Sequence, residues 1–194
     1  MPRPPTDVLR TRRSLHEAAR DLVAAEGPGA SVRSITRAAG VTEGTLYRHY
    51  ASRELLLSAV FTELVEPMIA EKAALLAMRA PLRDRLREWI RCTYTRFDKD
   101  PSGFAYVFLT DHRLPRAQAR LAHRQSELFG ELFAAGVASG ELRPMATDIA
   151  TAVFVGQLLT VPTMIRRGGL RKPAEQYTDE IAEAIWRALG VGSH

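Results

Sequence analysis

Cysteine is almost absent from this 194-residue chain, and the motifs of the common enzyme classes are missing. The single cysteine, Cys92, has no partner for a disulfide within the chain, which is typical of a protein kept in a reducing compartment. The sequence contains no glycine-rich phosphate-binding loop and no G-x-S-x-G nucleophile motif. His112 and His123 could approach each other, but Pro115 lies between them and no acid–histidine spacing repeats. These absences favour a binding protein without catalytic activity, cofactor or metal.

Long uncharged runs are also scarce. The longest extends from Ile149 to Ile165, 17 residues, just short of the roughly 20 residues that span a bilayer. It contains Gln157, three threonines and Pro162, so we expect a buried helix of a soluble protein here and no membrane span. The N-terminal residues lack the apolar core of a secretion signal, which favours a cytoplasmic location. The composition, 46% hydrophobic and 25% charged, is that of a soluble globular protein.

The most informative stretch is SVRSITRAAGVTEGTLYRHYASRELL, residues 31–56. Its spacing predicts a short helix, a tight turn at Gly40, a second short helix from about Glu43 to Tyr50, and the start of a third. Hydroxyl residues stand at the three expected helix N-caps; they are Ser31, Thr42 and Ser52. Such a layout is that of a helix-turn-helix, whose second helix enters the major groove of DNA. An ordinary three-helix packing unit fits the spacing equally well.

Positive charge is concentrated in the same part of the chain. Residues 1–53 carry nine arginines against five acids, whereas residues 54–194 carry 18 basic residues against 17 acids. A basic module suits the phosphate backbone of nucleic acid. Small basic excesses also occur on ordinary surfaces, so the asymmetry supports DNA binding only slightly.

The segment AGVTEGTLYRHYASRELL resembles the N-terminal signature of the TetR family of bacterial transcriptional regulators. The similarity extends back through Gly27 to Ala18 and covers about the first third of the chain. Three residues depart mildly from the family pattern: Thr36 replaces a usual alanine, Tyr50 a usual phenylalanine and Arg53 a usual lysine. The resemblance implies an all-α protein. A three-helix helix-turn-helix domain over residues 1–53 would precede a helical bundle, residues 54–194, for ligand binding and dimerisation.

The resemblance and the side-chain chemistry together give a set of expected DNA contacts. Arg33 and Thr45 would read bases or lie nearest to them, and Gly44 would let the backbone approach closely. The other members of the set would mainly position phosphates; they are Ser31, Thr42, Tyr47, His49 and Arg53.

Helical spacing continues through the rest of the chain. Pro67 should kink or end the third motif helix, and residues 99–103 predict a turn. FAYVFLT, residues 104–110, is either a strand or a buried helical turn, and the helix is favoured because a lone strand has no partner. Further helices are predicted over residues 7–26, from Pro81 to about Phe97, and over residues 116–139, 149–165 and 173–189, with a break over residues 111–115.

Aromatic residues are concentrated in the middle helices. They either fill the core or line the small-molecule pocket that the resemblance implies. The candidate ligand-binding residues are Trp89, Tyr94, Phe97, Phe104, Phe108, Phe129, Phe133 and Gln157. A polar rim is predicted from Asp111, His112 and Arg113.

The last two helices carry more apolar surface than one small core needs, which predicts a two-fold homodimer. The combined hypothesis is a ligand-responsive transcriptional repressor that binds double-stranded palindromic operator DNA. Two alternatives remain at this stage. One is a helical small-molecule-binding protein that does not bind DNA, and the other is a helical enzyme that uses the aromatic cavity.

Overall fold

Helices make up all the regular structure in the computed structural model of this protein, which describes residues 5–110 and 116–191, apart from one isolated β-bridge between Leu142 and Gly190. The all-α prediction is therefore confirmed. A 3-10 turn at Ala174–Tyr177 precedes the last helix. The helices of the described residues are α1 (Pro5–Glu26), α2 (Val32–Ala38), α3 (Glu43–His49), α4 (Arg53–Ala77), α5 (Leu82–Lys99), α6 (Pro101–Phe108), α7 (Arg116–Ala138), α8 (Thr147–Arg166) and α9 (Thr178–Leu189).

The chain forms two compact units. The first unit consists of Met1–Glu66 and Ser102–Ala119, and the second of Pro67–Pro101 and Arg120–His194. Helix α4 is continuous in sequence and contributes residues to both units. The functional division after residue 53 stays a prediction.

The helix starts of the motif follow the local signals in the sequence. Ser31 Oγ accepts a hydrogen bond from the backbone N–H of Ser34 at 3.0 Å, and Thr42 Oγ1 accepts one from Thr45 at 3.1 Å. Each hydroxyl satisfies an amide that has no partner in the first turn of its helix. Gly40 has a φ of 66°, the left-handed conformation that lets α2 end in a tight turn.

Proline begins one helix earlier than the sequence predicts and lies inside another. The predicted turn over residues 99–103 is wrong beyond Asp100, because α6 already starts at Pro101, where the missing N–H of a first helical residue costs nothing. Helix α4 continues through Pro67 to Ala77, although proline removes one internal hydrogen bond. The segment that was ambiguous between strand and helix lies in α6 as far as Phe108.

The core of the second unit is built around three aromatic rings. Phe129 on α7 and Phe154 on α8 are stacked, with ring centroids 4.1 Å apart and an interplanar angle of 8°. Trp89 on α5 meets both rings edge-on, at 6.2 Å from Phe129 and 5.8 Å from Phe154. All three side chains are buried. The cluster therefore joins α5, α7 and α8 through close aromatic packing.

Helix α8 is apolar on two opposite sides. Its inner side, with Phe154, Leu158 and Val161, is buried. Its outer side is exposed, with Ile149 at 55% and Met164 at 41%, and small residues lie between them at helical spacing; these are Ala152, Gly156 and Thr160. Only 28% of the most apolar window of this helix is buried. By length and composition α8 could also cross a membrane, as no other described helix could.

Candidate nucleic-acid interface

Helix α3 is short and held by few contacts. It has seven residues, and Leu46 is the only one of them that is buried. Leu46 faces the core of the first unit, whereas Tyr47, one position further, is 50% exposed. Gly44 and Arg48 are also exposed, and Thr45 is half-buried. The helix thus presents a polar outer face with one aromatic ring, small residues and one cation, which suits contact with a groove lined by phosphates.

Helix α2 supplies the second part of the exposed surface. Arg33 is exposed on it, one residue after the start of the helix. Thr36, the departure from alanine, is buried, and its hydroxyl donates to the carbonyl of Val32 at 2.9 Å. Since this hydroxyl is satisfied within the helix, Thr36 fits the buried position without an unpaired polar group.

Arg53 has a different set of partners from the one expected for a phosphate contact. Its Nε donates to the carbonyl of Ala30 at 2.7 Å, and an Nη donates to the carbonyl of Pro28. The guanidinium therefore ties the α1–α2 connection to the start of α4. Nη1 also lies 3.7 Å from Glu54 Oε1. The phosphate contact expected for Arg53 stays a prediction.

The remaining predicted contacts also lie in the first unit. Ser31 and Thr42 are exposed, and His49 is half-buried at the end of α3. The Thr42 and Thr45 hydroxyl oxygens lie 3.0 Å apart, so a hydroxyl hydrogen bond links the cap to the first turn in addition to the bond from the Thr45 N–H. All eight residues proposed from the sequence therefore lie in the motif and its flanks.

A buried polar cluster behind α3 was missed by the sequence analysis. His16 on α1 is 6% exposed and lies between two side chains that are distant in sequence, Tyr50 and Glu63. Helical spacing places His16 within an otherwise apolar stripe, and the only signal was the unusual hydroxyl at Tyr50.

The predicted ligand-binding residues do not all lie together. Phe104 and Phe108 belong to the first unit and pack on each other with centroids 4.7 Å apart. The other six belong to the second unit, and Trp89 and Phe129 fill the aromatic cluster. The predicted rim residues Asp111, His112 and Arg113 lie outside the described residues. A groove of about 810 Å³ between α7 and α8 is lined, in its described part, by residues such as Glu127, Thr147 and Val155 and by no aromatic side chain.

Unpaired polar atoms mark the interior of the second unit. Tyr94 is completely buried, and its hydroxyl has no hydrogen-bond partner among the described residues. Burial raises the pKa of this phenol, so the group is a neutral donor at physiological pH. Gln157 Oε1 is likewise buried without a partner in the described part of the chain. Such atoms are normally satisfied by water or by a ligand.

Lys72 is a second unusual group in this unit. It is buried, its Nζ donates to the carbonyl of Trp89 at 2.9 Å, and it lies 5.4 Å from the centroid of the Trp89 ring. Burial lowers the pKa of Lys72 to about 8, although Glu71, 3.8 Å away, acts in the opposite direction. Burial of the charged Lys72 ammonium therefore lowers the stability of the folded protein.

Replacing Lys72 with methionine is expected to raise the free energy of unfolding at pH 7 by about 1 to 3 kcal/mol. In the wild type, stability should rise from pH 8 towards pH 10.5, because the unfolded chain still binds the proton that the folded one has lost. This rise should be missing in the variant. Urea denaturation at pH 7 and pH 9.5 measures both effects.

The exposed Lys99→Met serves as the control and should follow the wild-type pH dependence. The Trp89 carbonyl keeps the Thr93 hydroxyl as a donor at 2.8 Å, so the Lys72 variant leaves it paired. Parallel pH dependences for the wild type and Lys72→Met would contradict the assignment.

In this all-helical protein, a short helix follows a tight turn and exposes a polar face. This arrangement is that of a helix-turn-helix protein. Residues 15–60 match the family described as bacterial regulatory proteins, tetR family. The match covers the helix-turn-helix stretch, so the resemblance stated from the sequence is confirmed. The chain is accordingly a DNA-binding transcriptional regulator.

Relatives match over nearly the whole chain. The nucleoid occlusion factor SlmA of Marinobacter nauticus is 26% identical over 189 residues, which cover 90% of this chain and 95% of that protein. A putative tetR family transcription regulator from Shewanella sp. PV-4 has a TM-score of 0.76 at 24% identity, covering 94% of this chain and 99% of that one. The transcriptional regulator FadR from Bacillus subtilis, solved in complex with stearoyl-CoA, has a TM-score of 0.76 at 18% identity over the same shares. The two structures establish a common fold.

Proposed function

We propose that this protein is a ligand-responsive repressor that binds a palindromic operator as a homodimer, with α3 as the recognition helix. The observation that carries the proposal is the outer face of α3. Tyr47 is half exposed on a helix whose single buried residue, Leu46, fixes which side faces outward. In a helix-turn-helix, the corresponding face lies in the major groove.

The different roles that we propose for these side chains in DNA binding follow from their chemistry. Arg33 and Thr45 would contact base edges, since a guanidinium pairs with guanine and a threonine methyl with thymine. Gly44, with no Cβ, would allow close approach of the backbone. The remaining proposed residues would hold phosphates and so set affinity without sequence preference; they are Ser31, Thr42, Tyr47, His49 and Arg53.

Replacing Tyr47 with alanine is expected to weaken operator binding about tenfold, because one well-placed contact contributes about 1 to 3 kcal/mol. Arg33→Ala should have an effect of similar size. The operator is first identified by a gel shift with the DNA that flanks the gene of this protein, or by selection from random DNA. Fluorescence anisotropy at several salt concentrations then measures the affinity, which should fall steeply as salt rises.

Met78→Ala, an exposed change just after α4, is the control and should bind DNA as the wild type does. Unchanged affinity in both Tyr47→Ala and Arg33→Ala would contradict the assigned interface. A protein that binds no DNA from the selection, yet melts at a higher temperature with a small molecule, would instead be a ligand-binding protein without DNA binding.

The outer side of α8 supports the homodimer. Its exposed apolar ends and small central residues form a surface that a second copy of the same helix can cover closely. Such a dimer presents two copies of α3, and binding at successive major grooves requires a separation of about 34 Å, which is why the operator should be palindromic.

The buried unpaired atoms of the second unit support an effector. Tyr94 and Gln157 offer one donor and one acceptor within an interior rich in aromatic rings, which suits a mostly apolar molecule with few polar groups. FadR from Bacillus subtilis was solved with stearoyl-CoA, which makes long-chain acyl thioesters a sensible first probe. Binding of an effector would act on α4 and thereby change the spacing of the two recognition helices.

A further inference from the structure

One histidine links three helices of the DNA-binding unit. His16 on α1 is buried, with Nδ1 2.5 Å from Glu63 Oε2 on α4 and Nε2 2.5 Å from the hydroxyl of Tyr50, which follows α3. The rings of His16 and Tyr50 also lie close, with centroids 5.7 Å apart. Tyr50 and Glu63 lie 34 and 47 residues after His16 in the sequence. The cluster is therefore a tertiary contact and not a local helix cap.

The chemistry of the partners fixes the direction of both hydrogen bonds. An ionised carboxylate only accepts, so the N–H of His16 Nδ1 donates to Glu63. Nε2 of a neutral ring then has a free lone pair, and the Tyr50 hydroxyl donates to it. A neutral His16 in this one tautomer satisfies both neighbours. A protonated ring would carry an N–H at Nε2, so the Tyr50 hydroxyl would have to turn and accept, and its own proton would lose the ring nitrogen as its acceptor.

Tyr50 is well placed to control α3. Its backbone N–H donates to the carbonyl of Leu46 at 2.8 Å and so closes the last turn of the helix. Since Leu46 is the only buried residue among the seven of α3, the side chain of Tyr50 provides a second anchor for a short helix. The position of α3 therefore depends on few contacts, and the bond to His16 is one of them.

We propose that His16 is a positioning residue for the recognition helix: the neutral ring holds Tyr50 and α3 in the DNA-binding arrangement, and protonation of the ring releases them. This inference rests on the proposed role of α3 in operator binding. It predicts that the protein releases its operator DNA when the pH becomes mildly acidic.

The charged groups around His16 act in opposite directions. Burial is the largest influence and lowers the pKa of His16; the Glu63 carboxylate on α4 raises it, and Arg12 on the same helix as His16 lowers it further. Tyr50, at the end of α3, has its own pKa raised by burial, so its hydroxyl stays protonated. The ring is thus neutral at physiological pH. Its protonation, and with it the release of Tyr50, is expected at a pH below the ordinary histidine pKa of about 6.5.

The first experiment measures operator affinity by fluorescence anisotropy from pH 7.5 to pH 5.5 for the wild type, Tyr50→Phe and His16→Gln. The wild type should lose about tenfold more affinity over this range than either variant, the equivalent of one hydrogen bond. Both variants should start weaker at pH 7.5 and change less with pH. His49, on α3, is present in all three proteins, so the difference between the profiles isolates His16.

Identical pH profiles for the wild type and Tyr50→Phe would overturn the proposal. The phenylalanine variant is a sensitive test because it keeps the ring and removes only the hydroxyl.

A second readout requires no DNA. Nitrogen chemical shifts of the His16 ring in the free protein at pH 7.5 should show the tautomer protonated at Nδ1, and Tyr50→Phe should shift the Nε2 signal. A charged ring or the opposite tautomer at this pH would overturn the hydrogen-bond assignment. If the expected tautomer is found and no DNA is bound at any pH, the proposed function fails, and the positioning role fails with it.

Discussion

Replacing Gly156 with glutamate is expected to convert the proposed dimer into a monomer and to weaken operator binding at least about 100-fold, because two linked DNA contacts would become one. A Cβ at Gly156 meets no atom within 4 Å in the protomer, so the new side chain has room in the isolated chain. Glutamate also favours a helix more than glycine does. The charge would nevertheless be buried between two copies of α8, where it has no partner.

Sedimentation equilibrium measures the change in mass, from twice the protomer mass of 21.5 kDa to a single copy. Ala73→Glu, at an exposed position of α4, introduces the same charge elsewhere and should remain dimeric. Circular dichroism establishes that both variants keep the helical content of the wild type. A Gly156→Glu protein that remains dimeric would show that the subunits meet through another surface.

Replacing Phe129 with alanine is expected to lower the free energy of unfolding by about 3 to 5 kcal/mol, the range for deleting a large aromatic side chain from a core. Phe129 stacks on Phe154, meets Trp89 edge-on and lies 6.3 Å from the centroid of Phe133, so the change removes three ring contacts and leaves a cavity. Guanidinium denaturation gives the free energy, and Met78→Ala, an exposed change, should stay within about 0.5 kcal/mol of the wild type.

The same variant distinguishes the two interpretations of the aromatic residues that the sequence left open. A core residue should cause this large loss in the absence of any ligand. If Phe129 instead lined an effector pocket, alanine would change stability little and would alter the effect of acyl thioesters on the melting temperature. A loss below about 1 kcal/mol would therefore contradict a core role.

The local features of the motif could be predicted because their causes lie within a few residues. The caps at Ser31 and Thr42 and the turn at Gly40 each depend on neighbours within one helical turn. The start of α6 at Pro101 was missed, since a proline after a turn can either extend the turn or begin a helix, and only packing decides. Local rules therefore located the helices better than their ends.

Contacts between distant residues could not be predicted from the spacing. Nothing near His16 in sequence indicates Glu63 or Tyr50 as partners, and the guanidinium of Arg53 reaches carbonyls more than 20 residues earlier. The uncharged stretch of α8 indicated that something covers this helix, but the separation into an inner and an outer apolar side required the packing of Phe154 and its neighbours.

The proline within α4 makes this helix easier to bend at one turn. Because Pro67 has no N–H, the carbonyl of Glu63 has no donor four residues ahead, and α4 can alter its curvature there without breaking a backbone hydrogen bond. The side chain of the same Glu63 holds His16. A change in the bend at this turn of α4 would therefore move the carboxylate that holds His16, the residue proposed to position α3.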